Sequence, residues 1–206
     1  MILKILIFDY DGTIIKRDNQ KILKNILKIN DKELIKNILK KLEREGNIKT
    51  SLEKSFLESG IKKTDSEIRE YAKKYTSAYE DGKIKKNVKE MLKRLSKKYK
   101  LILLSNGSKR IKIKELKKNK IFNFFEEIIT QEDTLYAKPD ERAFKYILKK
   151  YKIPAEECVS IGNSLSFDLI PAKKLGMKII WIFEEKIDKV LTDVSELNYK
   201  DINKLK

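Results

Sequence analysis

Short and almost uninterrupted runs of apolar, largely β-branched residues recur along the chain, and they constrain its fold more than any other feature. The runs are Ile2–Phe8, Leu101–Leu104, Glu127–Ile129, Cys158–Ile161 and Lys178–Phe183. Such runs are typical of strands that are buried on both faces, as in a parallel sheet. Segments with helical periodicity lie between the later runs, over residues 86–99, 141–151 and 168–175. Alternating strands and helices predict an α/β fold with a doubly wound, Rossmann-like parallel sheet.

One long stretch between the first and second predicted strands interrupts this alternation. It predicts helices only, over residues 19–29, 31–45, 51–59 and 65–79. Thr64 and Glu67 are spaced as a capping box before the last of these helices. We therefore predict a Rossmann-like core domain from residues 1–15 and 83–206, with a helical domain inserted at residues 16–82. The tail after Lys186 is weakly patterned, and a short strand and helix are expected near its end.

The side-chain inventory excludes several kinds of site. The 206 residues contain no histidine and one cysteine, Cys158, so they cannot form a Ser-His-Asp triad, a histidine metal site or an intrachain disulfide. Carboxylates, lysines, hydroxyls and a hard cation such as Mg²⁺ remain available for chemistry. The apolar run that ends at Asp9 is too short for a membrane span, and we expect a cytoplasmic protein without a membrane partner.

Positive charge is concentrated in one part of the chain. The formal net charge is +17, and residues 83–120 contain 16 Lys or Arg but only two Glu. A basic segment can bind nucleic acid. We favour the alternative that these lysines cover the solvated faces of helices, because they interleave with apolar residues at helical spacing and no arginines and aromatic residues alternate there.

Polar clusters follow the predicted strands. They are Asp9–Thr13, Ser105–Gly107, Lys138–Asp140 and Gly162–Ser164, with Asp168 close behind the last. Ligands of an open α/β sheet bind beyond the carboxyl ends of its strands, where the strand order reverses. We therefore expect these clusters to converge on one site. A turn after a strand would explain the first cluster in isolation, but it does not explain four clusters in this order.

The residue types at this edge suit phosphoryl transfer. Asp9 and Asp11 are two residues apart on an extended segment, so their carboxylates point to the same side and favour a cation beside them. One carboxylate can attack phosphorus, and the other can protonate the leaving oxygen and later deprotonate water. The Ser105 hydroxyl and the Asn106 amide can donate to phosphoryl oxygens, and Lys138 can neutralise developing negative charge.

These motifs resemble those of the haloacid dehalogenase superfamily of phosphohydrolases. The similar segments are FDYDGT at residues 8–13, LLSNGS at 103–108, KPD at 138–140 and IGNSLSFDL at 161–169. The resemblance covers nearly the whole predicted core, roughly residues 1–15 and 83–185. The helical insert is similar to the small helical cap of this superfamily in position and length.

The resemblance implies a role for each matching residue. Asp9 matches the nucleophile, whose carboxylate also binds Mg²⁺. Asp11 matches the general acid/base, and its backbone carbonyl matches a metal ligand. Ser105 matches the phosphate-binding hydroxyl, and Lys138 matches the charge-stabilising lysine. Thr13 matches a residue that supports the loop after the first strand.

The last motif departs from the family at Asn163. The family usually has a metal-binding aspartate at this position, and an asparagine can still bind Mg²⁺ through its amide oxygen. Asp168 matches the second acid of this motif, a partner of the lysine or of a metal-bound water. We expect a Mg²⁺-dependent phosphatase that acts on a small phosphorylated metabolite. A phosphomutase, a nucleic-acid-directed protein and a non-catalytic binding protein are the alternatives.

Overall fold

The computed structural model describes residues 4–80 and 82–182, and these residues divide into two compact units. One unit is Arg17–Lys83, and the other consists of the described residues that precede and follow it. The strand and helix expected after Lys186 lie outside the described residues. The same holds for the outer ends of the first and last predicted strands, at residues 2–3 and 183.

Strands and helices alternate in one unit, and the other unit is mainly helical. The strands are β1 (Ile5–Phe8), β2 (Ile15–Lys16), β3 (Lys83–Ile84), β4 (Lys100–Ser105), β5 (Glu127–Thr130), β6 (Cys158–Gly162) and β7 (Lys178–Trp181). The helices are α1 (Asn19–Leu27), α2 (Lys32–Glu45), α3 (Ile48–Glu58), α4 (Asp65–Tyr79), α5 (Val88–Leu95), α6 (Lys109–Lys118), α7 (Gln131–Thr134), α8 (Glu141–Tyr151) and α9 (Ile170–Lys174).

A five-stranded sheet with the order β5-β4-β1-β6-β7 forms the centre of the strand-containing unit. Its strands are parallel throughout, with Phe8 of β1 opposite Leu103 of β4 on one side and Ile161 of β6 on the other. The chain moves outward from β1 to β5 and then returns to β6, so the strand order reverses beside β1. The predicted doubly wound parallel sheet is therefore confirmed, and β2 and β3 form a second, two-stranded sheet.

Strand β1 is buried on both faces of the sheet. Ile5 and Ile7 pack with residues of α8, while Leu6 and Phe8 pack with residues of α5 and α6 on the opposite face. All four side chains are at most 1% exposed. Burial of each such side chain contributes roughly 1.5–3 kcal/mol, which explains the uninterrupted apolar run in the sequence. The strand ends at Phe8, so Asp9 lies at the carboxyl edge of the sheet.

The helical unit has a core of its own. Its buried residues include Leu23, Ile38, Leu52, Phe56 and Ile68, contributed by helices α1 to α4. The predicted capping box is confirmed, because the Glu67 N–H donates to Thr64 Oγ1 while the Thr64 N–H donates to Glu67 Oε2. Hydrogen bonds from Lys63 and then from Thr64 lower the pKa of Glu67 to about 2. The role of this unit as a cap stays a prediction.

Two elements differ from the sequence-based expectation. The helix expected over residues 168–175 begins instead as a π-helical turn, Leu165–Leu169, which continues into α9 with Pro171 in its first turn. Helix α6 was not predicted. Its buried positions are Lys112, Glu115 and Leu116, so the face toward the sheet has helical spacing but carries two charged residues. Hydrophobic periodicity cannot detect such a face.

Candidate active site

The site is built at the carboxyl ends of three neighbouring strands. Asp9 follows β1, Ser105 ends β4, and Asn163 follows β6. Because β4 and β6 both pair with β1, these residues lie at adjacent strand ends. The Asp9 N–H donates to the Ile161 carbonyl at 2.8 Å, which extends the pairing of β1 and β6 to Asp9 itself. The parallel sheet thus accounts for the convergence that the sequence predicted.

Lys138 connects two of the predicted carboxylates. Its Nζ lies 2.8 Å from Asp9 Oδ1 and 2.5 Å from Asp168 Oδ1. The side chains of Lys138, Asp9 and Asp168 are 5%, 12% and 3% exposed. A buried charge is tolerated when it is paired and hydrogen-bonded, and this ammonium has two ionic partners. The arrangement fixes the Asp9 carboxylate at the edge of the sheet.

Lys138, Asp9 and Asp168 form a buried trio, and this environment shifts the pKa values of Asp9 and Lys138. Burial raises the pKa of the Asp9 carboxyl to about 6, and the charge of Asp168 acts in the same direction against the opposing ammonium of Lys138. Burial alone would lower the pKa of Lys138, but Asp168 and Asp9 outweigh burial and hold this pKa above its ordinary value. At neutral pH the trio therefore contains an ionised Asp9 and a protonated Lys138.

Asn106 positions the segment that carries Lys138. Its Nδ2 donates to the Lys138 carbonyl, and its Oδ1 accepts from the Lys138 N–H, both at 2.8 Å. The side chain of Asn106 is thus engaged with protein backbone. Ser105, which is 3% exposed, donates from Oγ to the Asn106 carbonyl at 3.2 Å. Phosphate binding by Ser105 and by the Asn106 amide stays a prediction.

Asp168 is held by several contacts within the last motif. Its Oδ2 accepts from the Ser164 N–H at 3.0 Å, while its carbonyl accepts from Ser160 Oγ at 2.9 Å. The side chain also leaves no room for a larger residue at Gly162, where an added Cβ would lie 2.5 Å from the Cβ of Asp168. Asp168 is therefore a fixed, buried partner of Lys138, as the resemblance implies for this position.

Asn163 lies against the loop that follows β1. With its amide nitrogen turned toward this loop, it donates to the Asp11 carbonyl at 3.0 Å and to Asp9 Oδ2 and Thr13 Oγ1 at 3.2 Å. The reverse orientation places the amide oxygen at the same point, where it accepts from Thr13 Oγ1. Gly12 makes this approach feasible, because its φ is +82° and an added Cβ would lie 2.4 Å from Asn163 Nδ2.

The oxygen atoms around Asn163 fit a magnesium ion. Mg²⁺ binds oxygen ligands octahedrally at about 2.0–2.1 Å, so neighbouring ligand oxygens are about 3.0 Å apart. In the reverse orientation, the Asn163 amide oxygen lies 3.0 Å from the Asp11 carbonyl oxygen and 3.2 Å from Asp9 Oδ2, close to the spacing of magnesium ligands. Among the described residues no group of three His, Cys, Asp or Glu side chains is arranged to hold a metal. A magnesium ion would therefore use carbonyl and amide oxygens as well as a carboxylate.

Asp11 has a partner that the sequence did not reveal. Lys112 of α6 places its Nζ 2.5 Å from Asp11 Oδ2, and the Lys112 side chain is 2% exposed. Asp11 itself is 31% exposed. The expectation that the lysines of residues 83–120 cover solvated helix faces is therefore wrong for Lys112. The sequence carries no local signal for this contact, because the buried face of α6 contains the charged residues Lys112 and Glu115.

No helix within residues 4–80 and 82–182 combines the length and the apolar character that crossing a membrane requires.

The fold and the site define a class of protein: an α/β protein with two aspartates, Asp9 and Asp11, at the carboxyl edge of a parallel sheet. A family model described as haloacid dehalogenase-like hydrolase matches residues 6–182. The chain belongs to this family.

Named relatives resemble parts of the chain. A glyceraldehyde 3-phosphate phosphatase from Methanocaldococcus jannaschii is 37% identical over 81 residues, which cover 39% of this chain and 34% of the relative. A phosphoglycolate phosphatase from Pseudomonas fluorescens is 30% identical over 111 residues, which cover 52% of this chain and 40% of the relative. The matches thus span well under two thirds of the length of these relatives.

Solved structures resemble the chain over most of its length. The HAD-hydrolase YfnB from Bacillus subtilis, solved bound to magnesium, superposes with a TM-score of 0.72 at 22% identity. The match covers 88% of this chain and 89% of that protein. At this identity the likeness supports the fold.

Proposed function

We propose that this protein is a Mg²⁺-dependent phosphatase that hydrolyses a small phosphate monoester through an aspartyl phosphate at Asp9. One observation carries the proposal: the buried Asp9 carboxylate is bound by Lys138, and a second carboxylate, Asp11, follows two residues later. Membership of the haloacid dehalogenase-like hydrolase family supports it. The phosphatase names of the relatives from Methanocaldococcus jannaschii and Pseudomonas fluorescens support the same class of substrate.

In the first step, a carboxylate oxygen of Asp9 attacks the phosphorus of the ester. A bond forms between this oxygen and phosphorus while the bond between phosphorus and the leaving oxygen breaks. Asp11 donates a proton to the leaving oxygen, so the alcohol departs uncharged. Lys138, the Ser105 hydroxyl and the Asn106 backbone N–H stabilise the charge on the phosphoryl oxygens.

In the second step, water attacks the phosphorus of the aspartyl phosphate. Asp11, now ionised, accepts a proton from this water as the bond between phosphorus and Asp9 breaks. Inorganic phosphate leaves, and both aspartates return to their starting states. Asp168 contacts the reacting groups only through Lys138, so it positions this lysine.

The proposed magnesium ligands are the Asp9 carboxylate, the Asp11 carbonyl and the amide oxygen of Asn163. When bound, the ion supplies positive charge that stabilises the phosphoryl group during transfer. Thr13 contacts the Asn163 side chain and supports the same loop. The absence of an aspartate at position 163 predicts a site that binds Mg²⁺ less tightly than one with a second carboxylate.

We further propose that the helical unit, residues 16–82 by sequence and Arg17–Lys83 by contacts, is a cap that selects the substrate. Glyceraldehyde 3-phosphate and phosphoglycolate are the first substrates to test, because the two named relatives act on them.

Release of inorganic phosphate from p-nitrophenyl phosphate and from a phosphometabolite panel, with and without Mg²⁺, tests the proposal. The wild type should release phosphate with Mg²⁺, and Asp9→Asn should abolish release because the amide is not a nucleophile. Asp31→Asn is the matched control. Asp31 caps α2 in the helical unit, and asparagine caps a helix about as well, so activity should persist.

The outcomes separate the alternatives. A folded wild type that releases no phosphate from any ester contradicts the proposal and favours the non-catalytic binding protein. Transfer of phosphate between two positions of a sugar phosphate, without free phosphate, would identify a phosphomutase instead. Equal activity in wild type and Asp9→Asn would refute the assignment of the nucleophile.

A further inference from the structure

A buried ammonium lies beside the proposed acid/base, and the mechanism above does not use it. The side chain of Lys112 is 2% exposed, and its Nζ contacts Asp11 Oδ2. The same Nζ lies 4.5 Å from the centre of the Tyr10 ring. Burying a lysine head group is costly unless a partner compensates it, so a buried lysine is rare at a position that only requires packing.

The surroundings hold Lys112 in place. Leu116, one helical turn later, is fully buried against the sheet and anchors α6. Tyr10 donates from its hydroxyl to Glu115 Oε2 at 3.0 Å, which joins α6 to the segment between Asp9 and Asp11. Lys112 therefore reaches Asp11 from a helix that is tied independently to the same loop.

Asp11 needs such a restraint more than Asp9 does. Asp9 is 12% exposed and bound by Lys138, whereas Asp11 is 31% exposed. A partly exposed aspartate samples several rotamers, and proton transfer requires one geometry within hydrogen-bond reach of the leaving oxygen. An ammonium on Asp11 Oδ2 restricts the rotamers that the Asp11 side chain can adopt.

We propose that Lys112 is a positioning residue for Asp11. This inference rests on the proposed function. Lys112 does not donate or accept the transferred proton. Asp11 protonates the leaving oxygen as the bond between phosphorus and Asp9 forms, and Lys112 holds Asp11 in the orientation that allows this transfer.

The dependence of the rate on the leaving group tests the inference. Phenyl phosphate and p-nitrophenyl phosphate have similar shapes, but phenolate is the more basic leaving group and needs protonation, whereas p-nitrophenolate needs it little. The ratio kcat/KM reports the steps up to leaving-group release, in which Asp11 acts as the acid. Loss of acid catalysis should therefore reduce kcat/KM for phenyl phosphate selectively.

Lys112→Met should reduce kcat/KM for phenyl phosphate by about 10- to 100-fold, a part of the roughly 10²–10⁴-fold that general acid catalysis supplies. The reduction of kcat/KM for p-nitrophenyl phosphate should be smaller than about threefold, because p-nitrophenolate needs little protonation to leave. Lys112→Arg should restore part of the loss because it retains the charge. Lys112→Gln serves as a second neutral variant should the methionine variant fail to fold. The matched control is Lys109→Met, which removes a lysine from the first turn of α6 that pairs with Asp133.

A double-mutant cycle with Asp11→Asn completes the test. If Lys112 acts through Asp11, adding Lys112→Met to Asp11→Asn should change kcat/KM little further. An equal loss on both esters, or an undiminished loss in the Asp11→Asn background, would overturn the inference while the proposed function stands. A wild type inactive on both esters would overturn both.

Discussion

Lys138→Met removes the charge on which the buried trio depends. Methionine retains most of the side-chain volume, but the Asp9 and Asp168 carboxylates, 12% and 3% exposed, would lose their shared ammonium. Removing one partner of a buried ion pair costs about 3–5 kcal/mol, because the remaining charge stays buried without compensation. A typical domain has about 5–15 kcal/mol of stability, so a loss of this size should shift the unfolding transition strongly.

The loss should depend on pH. Burial and the charge of Asp168 raise the pKa of the Asp9 carboxyl in the folded state, and without Lys138 no ammonium opposes them. A carboxyl with a raised folded-state pKa lowers the stability of the protein as pH rises from the unfolded-state pKa to the folded-state pKa. Below the unfolded-state pKa the group is protonated in both states and costs no stability. In the wild type the pKa of Asp9 is already raised to about 6, and removal of the ammonium raises it further. The difference in the free energy of unfolding between Lys138→Met and the wild type should therefore be smaller at pH 5 than at pH 7.5.

Urea unfolding followed by tryptophan fluorescence measures this difference in the free energy of unfolding. Trp181 is the single tryptophan of the chain and lies in β7 of the same sheet, so its signal reports on the unit that contains the trio. The control is Lys109→Met, which breaks the ion pair between Lys109 and Asp133. The side chains of this pair are 30% and 22% exposed. A partly exposed pair contributes about 0–1 kcal/mol, so this variant should lose much less stability.

Two results would refute the reasoning about the trio. One is a loss of less than about 1 kcal/mol in Lys138→Met at pH 7.5, the range of an exposed ion pair. The other is an equal loss at both pH values. The double variant Lys138→Met with Asp168→Asn should be more stable than Lys138→Met alone, because it contains one buried charge fewer.

Two further predictions concern two glycines with positive φ and the buried cysteine. Gly12→Ala and Gly107→Ala place alanine at φ values of +82° and +85°, so both should lose about 1–2 kcal/mol in urea unfolding. Only Gly12→Ala should also weaken Mg²⁺ binding in calorimetry, because its Cβ displaces Asn163 whereas nothing lies within 4 Å of a Cβ at Gly107. Burial, followed by the charges of Glu157 and Glu156, raises the pKa of the Cys158 thiol to about 12. The native protein should therefore react slowly with a thiol reagent at pH 8 and rapidly in urea, and equal rates would contradict this burial.

The sheet could be predicted from the sequence because its strands are buried on both faces. Each strand is then an uninterrupted apolar run, and the order of runs and helices indicates parallel pairing. Helix α6 could not be predicted in the same way, because Lys112 and Glu115 occupy its buried face. Their contacts with Asp11 and Tyr10 connect residues about 100 positions apart, and no local pattern encodes such a pairing.

The predicted site residues on strand ends follow directly from the topology. Asp9, Ser105 and Asn163 lie at adjacent strand ends because β4 and β6 flank β1. The contacts of the side chains were less predictable. Asn106 is bonded through both amide atoms to the backbone of Lys138, although the sequence indicated only that the two segments share one edge of the sheet. Hydrogen-bond partners depend on loop conformation, which residue type does not determine.

The residue at position 163 should affect the binding of phosphate as well as the proposed binding of Mg²⁺. A bound Mg²⁺ would add two positive charges to a site that already contains the ammoniums of Lys138 and Lys112, so the magnesium-bound site should attract a phosphate dianion. Asn163→Asp adds a carboxylate beside Asp9, which should increase the affinity for Mg²⁺ because repelling carboxylates favour a cation between them. The same charge should weaken the binding of inorganic phosphate to the magnesium-saturated protein, by up to about tenfold, or about 1.4 kcal/mol. Titration calorimetry with MgCl₂, and then with phosphate at saturating Mg²⁺, measures both affinities in each protein. A variant that binds both ligands more tightly than the wild type would show that local geometry at position 163, rather than net charge, controls the site.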